Sequence, residues 1–176
     1  MNYYITDDIS LTSVYPNDDQ ILVQCLSAGV IQKNTCDIPY PYGVQDARNF
    51  IELTGDRSQR FGRLMDWAIR TSDGKLIGII SFKGTVNFSK GTDEINFWLA
   101  QEFWGKGIMT DVVKGFIKLA FDVFLLRRLE VIVFESNKTS ISVVQKCGFI
   151  QTDVLSDYRV KDGSPVRALK FIREKN

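Results

Sequence analysis

The stretch EINFWLAQEFWGKGIMT, residues 94–110, runs from a strand pattern through two glycines into a helix pattern. Glu94, Ile95, Asn96 and Phe97 alternate polar and apolar, and the adjacent apolar residues Trp98 and Leu99 close the run. Gly105 and Gly107 then allow the backbone to bend and to approach a ligand where a side chain would obstruct it. The N–H groups that follow stand at a helix start, without intrahelical partners and well oriented for a phosphate. Taken alone, the glycine pair is either an anion-binding turn or an ordinary tight connection. From Ile108 onward, Met109, Val112, Val113, Phe116, Ile117, Ala120, Phe121 and Phe124 recur at spacings of three and four, which predicts a helix with one apolar face. Lys114 and Lys118 fall outside that face.

Working outward, residues 129–134 form a short run rich in valine and isoleucine that predicts a central strand. Asn137-Lys138-Thr139-Ser140 opens a short helix through Lys146, and Gly148 suits a left-handed exit from it. Residues 150–155 and 166–172 read as two further strands around a polar turn. Towards the N-terminus, residues 67–70 and 76–82 read as an antiparallel pair joined at Asp73-Gly74. Before them, a strand over 9–15 leads into a helix capped by Asn17 or Asp18 and running through Ala28. A second helix spans 44–55, with Asp46 at its positive end. The order is mixed α/β, with an antiparallel first half and a βαβα unit in the second.

Composition narrows the function classes. At 176 residues and 44% apolar, the chain is expected to form a single domain, residues 1–176, with a real core. The balance of 22 basic and 21 acidic residues gives no broad field for gathering nucleic acid or anionic lipid. The opening MNYYITDDIS has neither the basic nor the apolar region of a signal peptide, so a cytoplasmic protein without membrane association is expected. Cys25, Cys36 and Cys147 are too few and too dispersed for a disulfide framework or a tetrahedral zinc site, and no metal is expected. The absence of histidine excludes Ser-His-Asp and Cys-His chemistry. Any catalysis must use carboxylates, hydroxyls, backbone groups or ordered water.

Four segments in this order, IPYPYGVQDARNF (38–50), WAIRTSDGKLIGIISF (67–82), EINFWLAQEFWGKGIMT (94–110) and ESNKTSISVVQKCGF (135–149), resemble the GCN5-related N-acetyltransferases (GNAT family). Within that family the chain is most similar to the branch that includes ribosomal-protein alanine N-acetyltransferases. The resemblance covers most of the chain and implies a strongly bent mixed sheet flanked by helices, with the strands around 94–99 and 129–134 parting to admit acetyl-coenzyme A. It implies that the backbones of Phe97, Trp98 and Leu99 bind the pantetheine arm. It places the pyrophosphate on the turn of Trp104, Gly105, Lys106, Gly107, Ile108 and Met109, with the Thr110 hydroxyl nearby. Asn137 corresponds to a position that holds the coenzyme, and Ser140 to a hydroxyl that approaches the thiol; as plain structure, the first would cap its helix and the second would satisfy local backbone.

The chain departs from the family pattern at two positions. Glu102 stands where glutamine or arginine is usual, and so is expected to face water or a base; Val144 replaces the tyrosine that protonates the departing thiolate in many members. Glu94 is the first candidate for accepting the amine proton, with Asp93 and Glu135 behind it; Asn96 is a candidate for orienting water or substrate. Cys147 reads as a core or rim residue. Residues 31–42, with Asp37, Tyr40 and Tyr42, are expected to form the acceptor wall. The expected reaction transfers acetyl from acetyl-coenzyme A to a primary amine, either a protein N-terminus or a small molecule. The alternative is a noncatalytic acyl-coenzyme A-binding module, and either a monomer or a homodimer is compatible.

Overall fold

Turn chemistry punctuates a computed structural model that describes residues 2–84 and 90–175. The elements are β1 (Tyr3–Tyr4), β2 (Ile9–Thr12), α1 (Asp19–Leu26), α2 (Val44–Phe61), β3 (Asp66–Thr71), β4 (Leu76–Phe82), β5 (Thr92–Leu99), α3 (Ile108–Lys118), β6 (Arg128–Phe134), α4 (Lys138–Lys146), β7 (Ile150–Lys161) and β8 (Ser164–Glu174). They form a mixed β-sheet with flanking helices. Contacts divide the chain into two units, Met1–Phe82 with Phe97–Ile108, and Lys83–Asn96 with Met109–Asn176, so β5 contributes residues to both.

The first unit follows the order β1-β2-β3-β4-β5, antiparallel from β1 through β4. Thr71 and Gly74 close the β3–β4 connection, with Gly74 at φ +84° and its N–H 2.9 Å from the Thr71 carbonyl. Leu22, Leu26, Ile31, Tyr42, Ala47, Ala68, Leu76 and Ile79 pack as one apolar cluster, against which Trp98 and Cys25 also lie. Each of the larger side chains fully buried there stabilises the fold by roughly 1.5–3 kcal/mol.

Three boundaries in this unit differ from the sequence expectation. Strand β2 stops at Thr12, because the Tyr15 N–H donates to Asp18 Oδ2 at 2.6 Å and Pro16–Asp18 winds into a 3₁₀ turn. Asp18 does sit at the start of α1, but its carboxylate serves Tyr15 and Arg70 instead of capping, and α1 ends at Leu26. Helix α2 continues past Gly55 to Phe61. A Cβ at Gly55 would meet nothing within 4 Å, so this glycine costs the helix only about 1 kcal/mol of propensity. The real stop is Gly62 at φ +65°, where Arg63 N–H reaches back to the Ser58 carbonyl at 3.1 Å.

The second unit follows the order β5-β6-β8-β7. β5 and β6 are parallel, with register pairs from Thr92↔Arg128 to Glu94↔Glu130; β6 pairs antiparallel with β8 along its whole length. Among the described residues the β5–β6 register ends at Glu94 although both strands continue, as the expected splaying of the central pair requires. Met109, Val112, Val113, Phe116 and Ile117 of α3 are buried as the periodicity predicts. The α-helix ends at Lys118, however, and residues Leu119–Val123 form a wider π turn in which Leu119, Ala120 and Phe121 are all buried. Three consecutive buried residues cannot share one face at α spacing, which is why the predicted helix to Phe124 changes character. β7 and β8 run well past the predicted 150–155 and 166–172, meeting at Asp162 and Gly163, with φ of 50° and 77°. Aspartate and glycine at positive φ suit a two-residue hairpin.

Candidate functional site

In the first unit, β5 ends against β4 and passes directly into the glycine turn. Ala100 N–H donates to the Ile77 carbonyl at 2.8 Å, and a Cβ at Gly78 would collide with the Trp98 carbonyl oxygen. Only glycine at 78 lets the two backbones approach this closely. An isolated glycine inside the strand run LIGIISF is itself a signal of such an approach. Residues Gln101–Phe103 then make a single 3₁₀ turn, with Phe103 N–H on the Ala100 carbonyl at 3.0 Å. The Trp104 indole N–H donates to the Leu99 carbonyl at 2.7 Å.

Gly105 and Gly107 both adopt left-handed conformations, φ +74° and +81°, and a Cβ on either would enter space with no heavy atom within 4 Å. The pair thus combines the backbone freedom that only glycine supplies cheaply with room beside it, immediately before Ile108 opens α3. Such a turn suits a phosphate-bearing ligand, because the first N–H groups of a helix have no intrahelical partners. Lys106 holds its ammonium 5.2 Å from the Phe103 ring centroid, and Lys75 lies 5.5 Å from the same centroid. Glu102 points to Lys75, 2.9 Å away, which removes the concern that its carboxylate faces the phosphate turn.

The proposed acceptor segment also lies in this unit. Gln32 is buried and pins it at two points, its Nε2 donating to the Leu26 carbonyl at 2.8 Å and the Pro39 carbonyl at 3.3 Å. Tyr40 is exposed, and the side chain any residue other than glycine would carry at 29 would meet its ring at 2.6 Å. Asp37 is exposed, whereas Tyr42 belongs to the apolar cluster. Burial, aided by the Asp46 charge, pushes the Tyr42 phenol up to about 12, so it stays protonated at neutral pH. Burial likewise raises the Cys25 thiol to about 11 and leaves it a poor nucleophile.

In the second unit, Glu94 pairs with Lys83 at 2.9 Å, both side chains largely withdrawn from solvent. Asp93 is buried and accepts from the N–H groups of Gly84 at 3.0 Å and Glu94 at 2.8 Å, so its carboxylate holds backbone. Glu135 pairs with Arg167 at 3.2 Å, and Asn96 is exposed. Asn137 and Ser140 are in direct contact: Asn137 Oδ1 accepts from the Ser140 N–H at 3.2 Å and Asn137 Nδ2 donates to Ser140 Oγ at 3.0 Å. Asn137 is therefore the N-cap of α4, and Asn137→Ala is expected to cost about 1 kcal/mol, measurable by urea unfolding. Met109 is buried; the Thr110 carbonyl accepts from Cys147 Sγ at 3.5 Å. Val144 is fully buried, and Cys147 is buried with its thiol pKa raised by desolvation. Among the described residues no group of histidine, cysteine, aspartate or glutamate side chains could hold a metal ion, and no helix is long and apolar enough to cross a membrane.

Residues 9–150 match the family model described as the acetyltransferase (GNAT) domain. The chain belongs to this family. Its relatives include the uncharacterized N-acetyltransferase YoaA of Bacillus subtilis, 26% identical over 167 residues that span 91% of this chain and 89% of the other. The fold is shared with the microcin C7 self immunity acetyltransferase MccE, solved with acetyl-CoA and AMP. That structure has a TM-score of 0.87 and 22% identity, over 97% of this chain and 94% of MccE. It is also shared with RimL, a ribosomal L7/L12 alpha-N-protein acetyltransferase solved with coenzyme A, at a TM-score of 0.88 and 16% identity, over 99% and 98% of the two chains. Family membership and the α/β sheet thus agree with the resemblance carried by the four sequence segments.

Proposed function

We propose that this GNAT chain, as one acetyltransferase domain over residues 1–176, transfers an acetyl group from acetyl-coenzyme A to a primary amine, with a protein N-terminus as the first acceptor to test. The observation that carries the reading is the open, left-handed pair Gly105 and Gly107 directly before α3. Trp104, Gly105, Lys106, Gly107, Ile108 and Met109 receive the pyrophosphate, chiefly through backbone N–H groups, and the Thr110 hydroxyl assists. The backbones of Phe97, Trp98 and Leu99 receive the pantetheine arm. Asn137 holds the Ser140 hydroxyl, which serves the departing thiolate. The neutral amine attacks the thioester carbonyl, its proton passes to Glu94 directly or through water, and the carbon–sulfur bond breaks to expel a thiolate that takes up a proton by way of the Ser140 hydroxyl, water or the protonated amine and leaves as coenzyme A.

The protein-terminus reading draws support from the fold shared with RimL; the fold shared with MccE, which was solved with AMP as well as acetyl-CoA, keeps a small-molecule acceptor in the test. A panel of N-terminal peptides and small amines, scored by product mass, separates the two. A second reading, a noncatalytic acyl-coenzyme A-binding module, is favoured by Val144, which is buried and cannot donate a proton. Binding of acetyl-coenzyme A without turnover in the presence of bound acceptors would establish it. Neither binding nor release of coenzyme A across the panel would defeat both readings.

Glu94→Gln is expected to lower kcat about 100-fold, because the amide cannot accept the proton. Unchanged turnover would assign Glu94 solely to its ion pair with Lys83.

A further inference from the structure

We infer that Trp104 is a positioning residue that joins the thioester end of the donor site to its phosphate end, an inference that rests on the acetyl-coenzyme A reading. Two observations fix how the end of β5 is oriented. Ala100 N–H bonds the Ile77 carbonyl on β4, and the Trp98 carbonyl overlies Gly78 on the same strand. Residues 98 and 100 therefore face β4. Alternation along a strand turns the peptide groups of Phe97 and Leu99 to the opposite edge.

On that edge the Leu99 carbonyl takes the indole N–H of Trp104 at 2.7 Å. The capped oxygen carries less free negative potential, so the last group this edge offers a ligand is a donor, the Leu99 N–H. A donor is what a thioester oxygen needs as negative charge develops on it; an uncapped carbonyl beside it would oppose that charge.

The same bond acts on the phosphate side. Trp104 immediately precedes Gly105, and its own N–H holds the Gln101 carbonyl at 3.1 Å. Its backbone and its side chain thus tie the glycine turn to the strand end across five residues. Glycines at 105 and 107 leave the turn free to shift against the strand end, and the indole bond fixes the spacing between the two before a ligand arrives. A ligand engaging both ends gains from the connection; a fragment engaging one end does not.

Calorimetry with coenzyme A, pantetheine and adenosine 3′,5′-bisphosphate tests this on the full chain. Trp104→Phe, which keeps an aromatic ring and removes the donor, is expected to weaken coenzyme A about tenfold and each fragment less than twofold. Trp104→His, which retains a ring N–H, is expected to restore most of the loss. Fragments weakened as much as coenzyme A would mean that Trp104 supports only local structure, and an unchanged coenzyme A affinity in Trp104→Phe would mean that it does nothing; either overturns the inference while leaving the acetyl-coenzyme A reading intact. A wild-type protein that binds no coenzyme A removes both.

Discussion

Gly107→Val is expected to weaken coenzyme A binding about 100-fold while lowering Tm by only a few degrees. At φ +81° a β-branched residue is strained by roughly 1–2 kcal/mol, and for a chain of this size each kcal/mol shifts Tm by about 2–4 °C. Beyond the residue's own chain neighbours, no heavy atom lies within 4 Å of the added Cβ. The affinity loss has a different origin. If the turn keeps its conformation, the valine fills the space beside it; if the turn relaxes, the N–H groups aim elsewhere. Both remove charge-assisted hydrogen bonds worth about 1.5–3 kcal/mol each. Gly163→Val is the matched control, since Gly163 has φ +77°, the same open surroundings, and a place in the β7–β8 hairpin. Calorimetry and thermal melts on the two variants should show similar Tm losses and divergent affinities. Equal affinity losses would withdraw the phosphate role from the turn.

Arg70→Met is expected to destabilise the fold by about 3–5 kcal/mol, the largest effect of any single substitution considered. Arg70 and Asp18 are both buried and meet through two bonds, Nη1 to Oδ1 at 3.1 Å and Nη2 to Oδ2 at 2.6 Å. The guanidinium also donates to Thr12 Oγ1 at 2.8 Å and to the carbonyls of Gly74 and Ser13, and it stacks 4.3 Å above the Tyr15 ring. Removing Arg70 alone leaves the Asp18 carboxylate desolvated without its cation. Asp18→Leu combined with Arg70→Met should recover much of the loss, because no uncompensated charge then remains. Urea unfolding measures these two and Asp18→Leu alone. A double variant as unstable as the sum of the singles would show that the pair is not energetically coupled.

Legibility in the sequence followed the physics of each signal. The α3 stripe from Met109 to Ile117 was readable because burial of one helical face forces a period; Asp46 was readable because an acid favours a helix's positive end, and there it also accepts from the Gly43 N–H at 2.8 Å. Val160 and Lys161 were not read as strand, because β7 is largely exposed and burial imposes no alternation on it; the Asp162-Gly163 turn was the available clue. Asp18 misled because capping is a local inference, and the bond that won comes from Arg70, 52 positions away. For the candidate site, Gly105 and Gly107 announced their conformations through residue type alone. The pairing of Glu94 with Lys83 depends on strand geometry, and nothing in the spacing of a lone glutamate encodes it.

The bond from Trp104 to Leu99 also makes the molecule its own optical reporter. Of the three tryptophans, Trp67 is 1% exposed and Trp104 37%, with Trp98 between. Trp67 thus supplies a steady emission background, while the half-exposed indole beside the glycine turn is the one expected to change its emission when coenzyme A is titrated in.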